Sequence, residues 1–279
     1  MACSTKPEQN LKHAIQQVKK LAKQGAQVIC LPELFRSQYF CQTEEHHNFA
    51  LAETIPGPSS KALGKLSREL KITLVASLFE KRSAGLYHNT CIVLDEQGKI
   101  SHRYRKMHIP DDPGYYEKFY FTPGDLGFRS FKTPHGDMGA LVCWDQWYPE
   151  AARLTALRGA QVLFYPTAIG WIPEDSPAEH QRQQEAWQTI QRSHGIANGV
   201  YVVAVNRVGQ EGDIQFWGAS FVSDPFGKVI AQASQKEENL LVEIDLKEVG
   251  QTRQFWPFLR DRRIDAYADI QRRFIDEDL

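Results

Sequence analysis

The run Gly139-Ala140-Leu141-Val142-Cys143 constrains this chain more than any other stretch. It is short, apolar and made of small residues, which suits a buried strand. Pro149 then suits the first turn of a helix, where its missing N–H costs nothing. The helix predicted over 149–158 stops at Gly159, and 161–165 reads as the next strand, ended by Pro166. Cys143 therefore falls at a strand-to-helix elbow. There a side chain can face a cleft while nearby backbone N–H groups point at whatever the sulfur attacks.

The other elements repeat this grammar. Residues 7–25 form an amphipathic helix, with Leu11, Ile15, Val18, Leu21 and Ala22 on one stripe. The strand at 28–31 stops at Pro32, and Glu33 follows at once. Ser59 or Ser60 caps a helix through Leu70. Strands are predicted over 72–79, 89–94 and 100–106, then a long irregular segment, 107–125. A helix over 178–198 and strands over 201–206, 217–222, 228–233 and 240–244 complete the pattern. Helices and strands alternate but hairpins interrupt them. This suggests α/β architecture with one mixed sheet or two sheets and helices outside, in a single domain spanning 1–279.

Composition excludes several classes. The net charge of −1, with both signs interspersed, gives no basic face for nucleic acid or a membrane surface. No apolar run approaches the roughly 18 residues of a transmembrane helix. The five cysteines are odd in number and widely spaced, which reads as free thiols in a cytoplasmic protein, and nothing has the clustered Cys/His spacing of a zinc site.

Glu33, Lys106 and Cys143 each end or follow a strand. An amide carbonyl is a poor electrophile. Covalent hydrolysis needs a nucleophile, a base for its proton and positive charge where the oxyanion develops. A Cys, a Glu and a Lys supply all three, and the ammonium is expected to lower the thiol pKa. Spacing alone also allows a buried apolar cysteine, a capping glutamate and a solvated lysine.

Leu31-Pro32-Glu33-Leu34-Phe35, Tyr104-Arg105-Lys106-Met107-His108-Ile109-Pro110 and the segment from Cys143 to Arg153 occur in that order. They resemble the three signature segments of the nitrilase (carbon–nitrogen hydrolase) superfamily, and the likeness runs on to Trp256-Pro257-Phe258-Leu259. The resemblance implies a four-layer α-β-β-α sandwich with two mixed sheets. It implies Glu33 as base, Cys143 as nucleophile, and Lys106 with the Trp144 N–H as oxyanion donors. Glu117 matches a second glutamate of related enzymes. No metal or organic cofactor is implied.

Residues 108–125 and 39–42 are similar to members that cleave carbamoylated diamines through a carbamoyl thioester. Such a substrate ends in an ammonium, which wants a carboxylate or an aromatic face. Asp145, Trp147, Thr167, Trp171 and Glu174 are the candidate contacts, with Asp111, Asp112 and Asp175 as further acids. Asn206 reads as a cleft or structural residue and His108 as an orienter of the lysine or a structural histidine. The family likeness further implies homo-oligomers built from dimers, with 255–279 at the interface. It also implies an apolar strand ahead of Met1 in relatives, so this chain is expected to start after the first strand.

Overall fold

The structure, a computed structural model, describes residues 1–276. Helix α1 (Pro7–Lys23) leads into strand β1 (Val28–Cys30), and helix α2 (Pro58–Leu70) precedes β2 (Thr73–Ser83), β3 (Leu86–Leu94) and β4 (Ile100–Arg105). Strands β5 (Ser130–Thr133) and β6 (Gly136–Ala140) are followed by α3 (Pro149–Leu157), β7 (Val162–Thr167), the short β8 (Gly170–Trp171) and α4 (Pro177–Asn198). Then come β9 (Tyr201–Asn206), β10 (Val208–Glu211), β11 (Ile214–Trp217), β12 (Phe221–Ser223), β13 (Val229–Gln232) and α5 (Lys247–Phe255).

Two large mixed sheets result, flanked by helices as expected. One has the order β1-β2-β3-β4 and the other β13-β12-β9-β7-β6-β5, while β10, β11 and β8 form a small third sheet. Side-chain alternation builds the layers. Leu74, Ala76 and Leu78 of β2 join Ile92 and Leu94 of β3 in packing on Ala14, Val18, Leu63 and Leu66 of α1 and α2. The intervening Val75, Cys91 and Val93 share a core with Met138, Val162 and Phe164 of the second sheet. A Cβ on Gly139 would stand 2.2 Å from Thr155 Cγ2, so the close approach of β6 to α3 requires glycine.

Several boundaries differ from those read in the sequence. Strand β6 ends at Ala140, short of Cys143, which instead opens a turn of 3-10 helix, Cys143–Trp147. Strand β7 continues through Pro166 to Thr167. The Leu141 N–H donates to Phe164 O, so residue 166 faces the same way, beyond the end of β6, where no ladder donor is needed. The run 217–222 is split between β11 and β12, because Gly218 and Ala219 both take positive φ, 62° and 52°. Residues 240–244 form no strand, although their composition fits one. They run along a cavity of about 780 Å³ between β1 and the six-stranded sheet, lined also by Val28, Cys30, Met138, Phe164 and Val203. At the helix start, Ser60 Oγ accepts from the Gly57 N–H at 2.8 Å, reaching back from the first turn of α2.

No helix among the described residues is long and apolar enough to cross a membrane. All five cysteines are free.

Candidate active site

The chemistry gathers where strand ends from both large sheets meet. Glu33 lies three residues past β1, Lys106 directly follows β4, and Glu117 opens a short 3-10 turn in the long loop. All three are fully buried, and Cys143 is 5% exposed. Lys106 Nζ donates to Glu33 Oε1 at 2.9 Å and to Glu117 Oε2 at 2.7 Å. Asn89 Nδ2 also donates to Glu33 Oε1, at 2.6 Å, and Tyr39 OH donates to Glu117 Oε1, at 2.7 Å. Glu33 Oε2 is left buried with no hydrogen-bond partner, a carboxylate oxygen free to take a proton.

Burial opposes the charge on Lys106, but Glu117 and Glu33 outweigh it and hold the lysine pKa well above its ordinary value. Glu117 is pushed up to about 7, by burial first and also by Glu33, against the pull of Lys106. A single ammonium shared with a second buried carboxylate cannot hold Glu117 fully ionised at neutral pH without cost.

The thiol departs from the sequence expectation. Burial, then the charge of Glu33, pushes Cys143 well above the ordinary thiol value, and Lys106 offsets this only in part. These surroundings favour the thiol over the thiolate at Cys143, whose Sγ lies 3.7 Å from Ala168 O. Its proton must leave as attack begins, to a base already in place.

The cysteine backbone is held in the left-handed region, φ 43°, which costs a non-glycine residue about 1–2 kcal/mol. Asp145 holds that turn. Its Oδ2 accepts from the Val142 N–H at 2.9 Å and from Tyr104 OH at 2.7 Å, and its Oδ1 accepts from the His108 N–H at 3.1 Å. His108 Nδ1 lies 2.7 Å from the same oxygen, and its ring stacks on Tyr148 with centroids 3.7 Å apart. Asp145 thus ties the cysteine turn to the strand end bearing Lys106. It is fully buried, with its oxygens occupied, and is not available to a substrate ammonium.

The remaining sequence candidates scatter. Thr167 is buried and donates to Gln146 Oε1 at 3.1 Å. Trp144 is half-buried and packs edge-on against Trp147, centroids 6.5 Å apart. Trp171 stacks on His180 at 4.5 Å and donates its Nε1–H to the His180 carbonyl. Asn206 bridges Ile169 and Gly218, accepting from the Ile169 N–H and donating to the Ile169 and Gly218 carbonyls. Asp111, Asp112 and Glu174 are exposed, while Asp175 is half-buried and accepts from the Ile172 N–H at 3.2 Å. Tyr115 links the centre to the rim formed by residues 170–175: its ring lies 5.5 Å from that of Tyr39, and its hydroxyl donates to Gly170 O at 3.0 Å and accepts from the Gly170 N–H at 2.9 Å.

Sequence reasoning missed Asn89 and assigned no role to Tyr39. Each acts through a partner far along the chain, which no local pattern reports. The Tyr39-Phe40-Cys41-Gln42 segment, read as a family likeness, was the available signal for the tyrosine.

Fold and site together define a hydrolytic enzyme on an α-β-β-α sandwich. Residues 2–254 match the carbon-nitrogen hydrolase family. The N-carbamoylputrescine amidase of Oryza sativa subsp. japonica is 41% identical over 276 residues, covering 95% of this chain and 90% of that one. The citrullinase of Francisella tularensis is 38% identical, covering 95% and 94%. A crystal structure of a carbon-nitrogen hydrolase from Helicobacter pylori G27 superposes with a TM-score of 0.95 at 49% identity, covering 98% of this chain and 97% of that one. The chain belongs to the carbon-nitrogen hydrolase family and is an enzyme for amide- or nitrile-type substrates.

Proposed function

We propose that this enzyme hydrolyses N-carbamoylputrescine to putrescine, CO2 and ammonia. The observation that carries the reading is the convergence of buried Cys143, Lys106 hydrogen-bonded to both Glu33 and Glu117, and a Glu33 oxygen with no partner of its own. Likeness to N-carbamoylputrescine amidases from Oryza sativa and Arabidopsis thaliana supports the substrate.

Glu33 Oε2 takes the Cys143 proton as sulfur attacks the carbamoyl carbon. Lys106 and the Trp144 N–H, one of the first N–H groups of its helical turn and so without a partner inside it, receive the oxyanion. Protonated Glu33 returns the proton to the departing ammonia, leaving a carbamoyl thioester. Glu33 then activates water, with Glu117 fixing Lys106 and the water site. The carbamate released breaks down to CO2 and the amine.

The distal ammonium meets the rim rather than the interior. Asp175 is the acid placed for it, with Trp171 and Trp147 as walls and Glu174 further out; Asp145 and Thr167 serve the framework. Copies associate through the aromatic tail, where Phe255, Trp256, Phe258, Ile264 and Phe274 are all exposed. The rest of that segment, 277–279, lies outside the described residues.

A second reading follows from the citrullinase relative: citrulline has the same ureido end but adds a carboxylate. Ammonia release from N-carbamoylputrescine, citrulline and N-carbamoyl-β-alanine at equal concentration decides among them. The proposal expects the cationic substrate to give the highest kcat/KM, and a preference for either acid overturns it.

A further inference from the structure

Arg207 is a large buried cation outside the reaction centre, with no exposed surface. It lies between β9 and β10, in the part of the chain that belongs to the second and third sheets. Its guanidinium reaches across to the segment that follows β1 in the first sheet. Nη2 donates to Glu33 O at 2.8 Å and to Leu34 O at 3.0 Å, and Nη1 donates to Ser37 O at 3.3 Å. Three carbonyls of one turn thus converge on a single side chain. Leu34 within that turn has φ 48°, so its backbone leaves the strand conformation, and its carbonyl accepts from the Ser37 N–H at 3.2 Å as well as from Arg207.

Glu211 completes the arrangement. Its Oε2 accepts from Arg207 Nη1 at 2.7 Å and from the Tyr39 N–H at 2.6 Å. Tyr39 in turn donates its hydroxyl to Glu117. One end of the pair therefore holds the backbone of Glu33 and the other holds the residue that holds Glu117. Phe216 lies under the guanidinium, 5.3 Å from ring centroid to Cζ, and closes off water from that side.

We infer that Arg207 and Glu211 are positioning residues that set the spacing of Glu33 and Glu117 across Lys106. The bidentate fork matters as much as the charge, because a lysine offers no planar pair of donors for carbonyls in different directions. The inference rests on the reading of Glu33 as base and Glu117 as its companion.

Three variants test it: Arg207→Lys, Glu211→Gln and Tyr39→Phe. Each is assayed for the folded fraction by thermal melting, for kcat and KM per folded molecule, and for the pH profile. Cys143 alkylation by iodoacetamide, located by peptide mass spectrometry, gives a readout independent of the physiological substrate. A displacement of about 1 Å can cost on the order of 100-fold in rate. Arg207→Lys is therefore expected to lose about that much kcat with KM within threefold of the parent, and to slow alkylation. Glu211→Gln still accepts two hydrogen bonds and is expected to retain more kcat than Arg207→Lys. Both Glu211→Gln and Tyr39→Phe are expected to shift the limb of the pH profile set by Glu117. Parental kcat, alkylation rate and limb in folded variants overturn the inference, as does activity lost only in proportion to the folded fraction. Failure of the functional reading looks different: the parent enzyme itself would not turn over the carbamoyl substrate.

Discussion

The two large sheets meet in two contrasting ways. Around Cys143 they meet through buried charge, with Glu33, Lys106 and Glu117 linked to one another and pinned by Asn89 and Tyr39. Between β1 and residues 240–246 they face each other across the 780 Å³ cavity, walled largely by aliphatic side chains, and none of the four reactive residues lines it. The first region is sensitive to single changes, because each buried charge depends on a named neighbour. The second holds apolar groups whose stability depends on area and volume rather than on particular partners. Precision in this molecule is therefore local. It is concentrated where charge is buried.

Substitutions can break this contrast or sharpen it. Cys143→Ala is expected to reduce ammonia release by about 10⁴-fold or more, as loss of a covalent nucleophile does. It should also abolish the carbamoyl adduct in intact-mass spectra, with little change in melting temperature. Turnover near the parental rate would remove the thiol from the mechanism.

Lys106→Met is expected to cost about 3–5 kcal/mol of stability, because it strands two buried carboxylates, and roughly 10²–10³-fold in kcat. The loss should be relieved at low pH. A carboxylate whose pKa is raised by folding stabilises the fold most below its unfolded pKa and loses that contribution as pH rises through its folded pKa. Melting curves from pH 5 to 8 should therefore fall more steeply for this variant than for the parent.

Glu117→Gln is milder, since the amide keeps the shape of the site. A kcat loss of about 10- to 100-fold is expected. The parental profile should rise through pH 7, where Glu117 ionises and becomes a full acceptor for Lys106, and that limb should vanish in the variant. A limb near 7 that survives in the variant belongs to another group.

At the rim, Asp175→Asn is expected to raise KM for N-carbamoylputrescine by about tenfold, the scale of one charge-assisted hydrogen bond, and to leave KM for neutral butylurea unchanged. Equal effects on both would place Asp175 in the framework instead. The smallest effect belongs to the cavity. Val203→Ile adds a methylene where there is room, and should stabilise by at most about 0.8 kcal/mol in a denaturant titration, with kcat unaltered.

The limits of the sequence follow the same division. The layered fold was legible because its strands and helices carry their own periodicity, and three ordered segments resemble one superfamily. The elbow at Cys143 was legible in kind but not in detail, since nothing in Val142-Cys143-Trp144 announces a left-handed cysteine three residues past the strand end. Residues 240–244 have the composition of a strand, yet a strand exists only where a partner pairs with it, and pairing is not local information. Asp145 and Thr167 looked like contacts for a ligand because residue type says nothing about direction; both turn inward to neighbours. Arg207 had no signature at all. It lies 174 residues from Glu33 along the chain, and only the folded chain brings them together.

The burial of the cysteines has a bearing on inhibitor chemistry. Burial raises the pKa of Cys3, Cys30, Cys41 and Cys91 as well as that of Cys143, so no thiol in this protein advertises itself to a passing electrophile. Thiol reagents that carry no amide, unlike iodoacetamide, should find it a poor target. A covalent inhibitor must instead be recognised first, bringing a carbonyl or nitrile to the oxyanion donors so that Glu33 releases the sulfur only for that guest. Selectivity would then come from fit, and a warhead too mild to touch other cellular thiols would suffice.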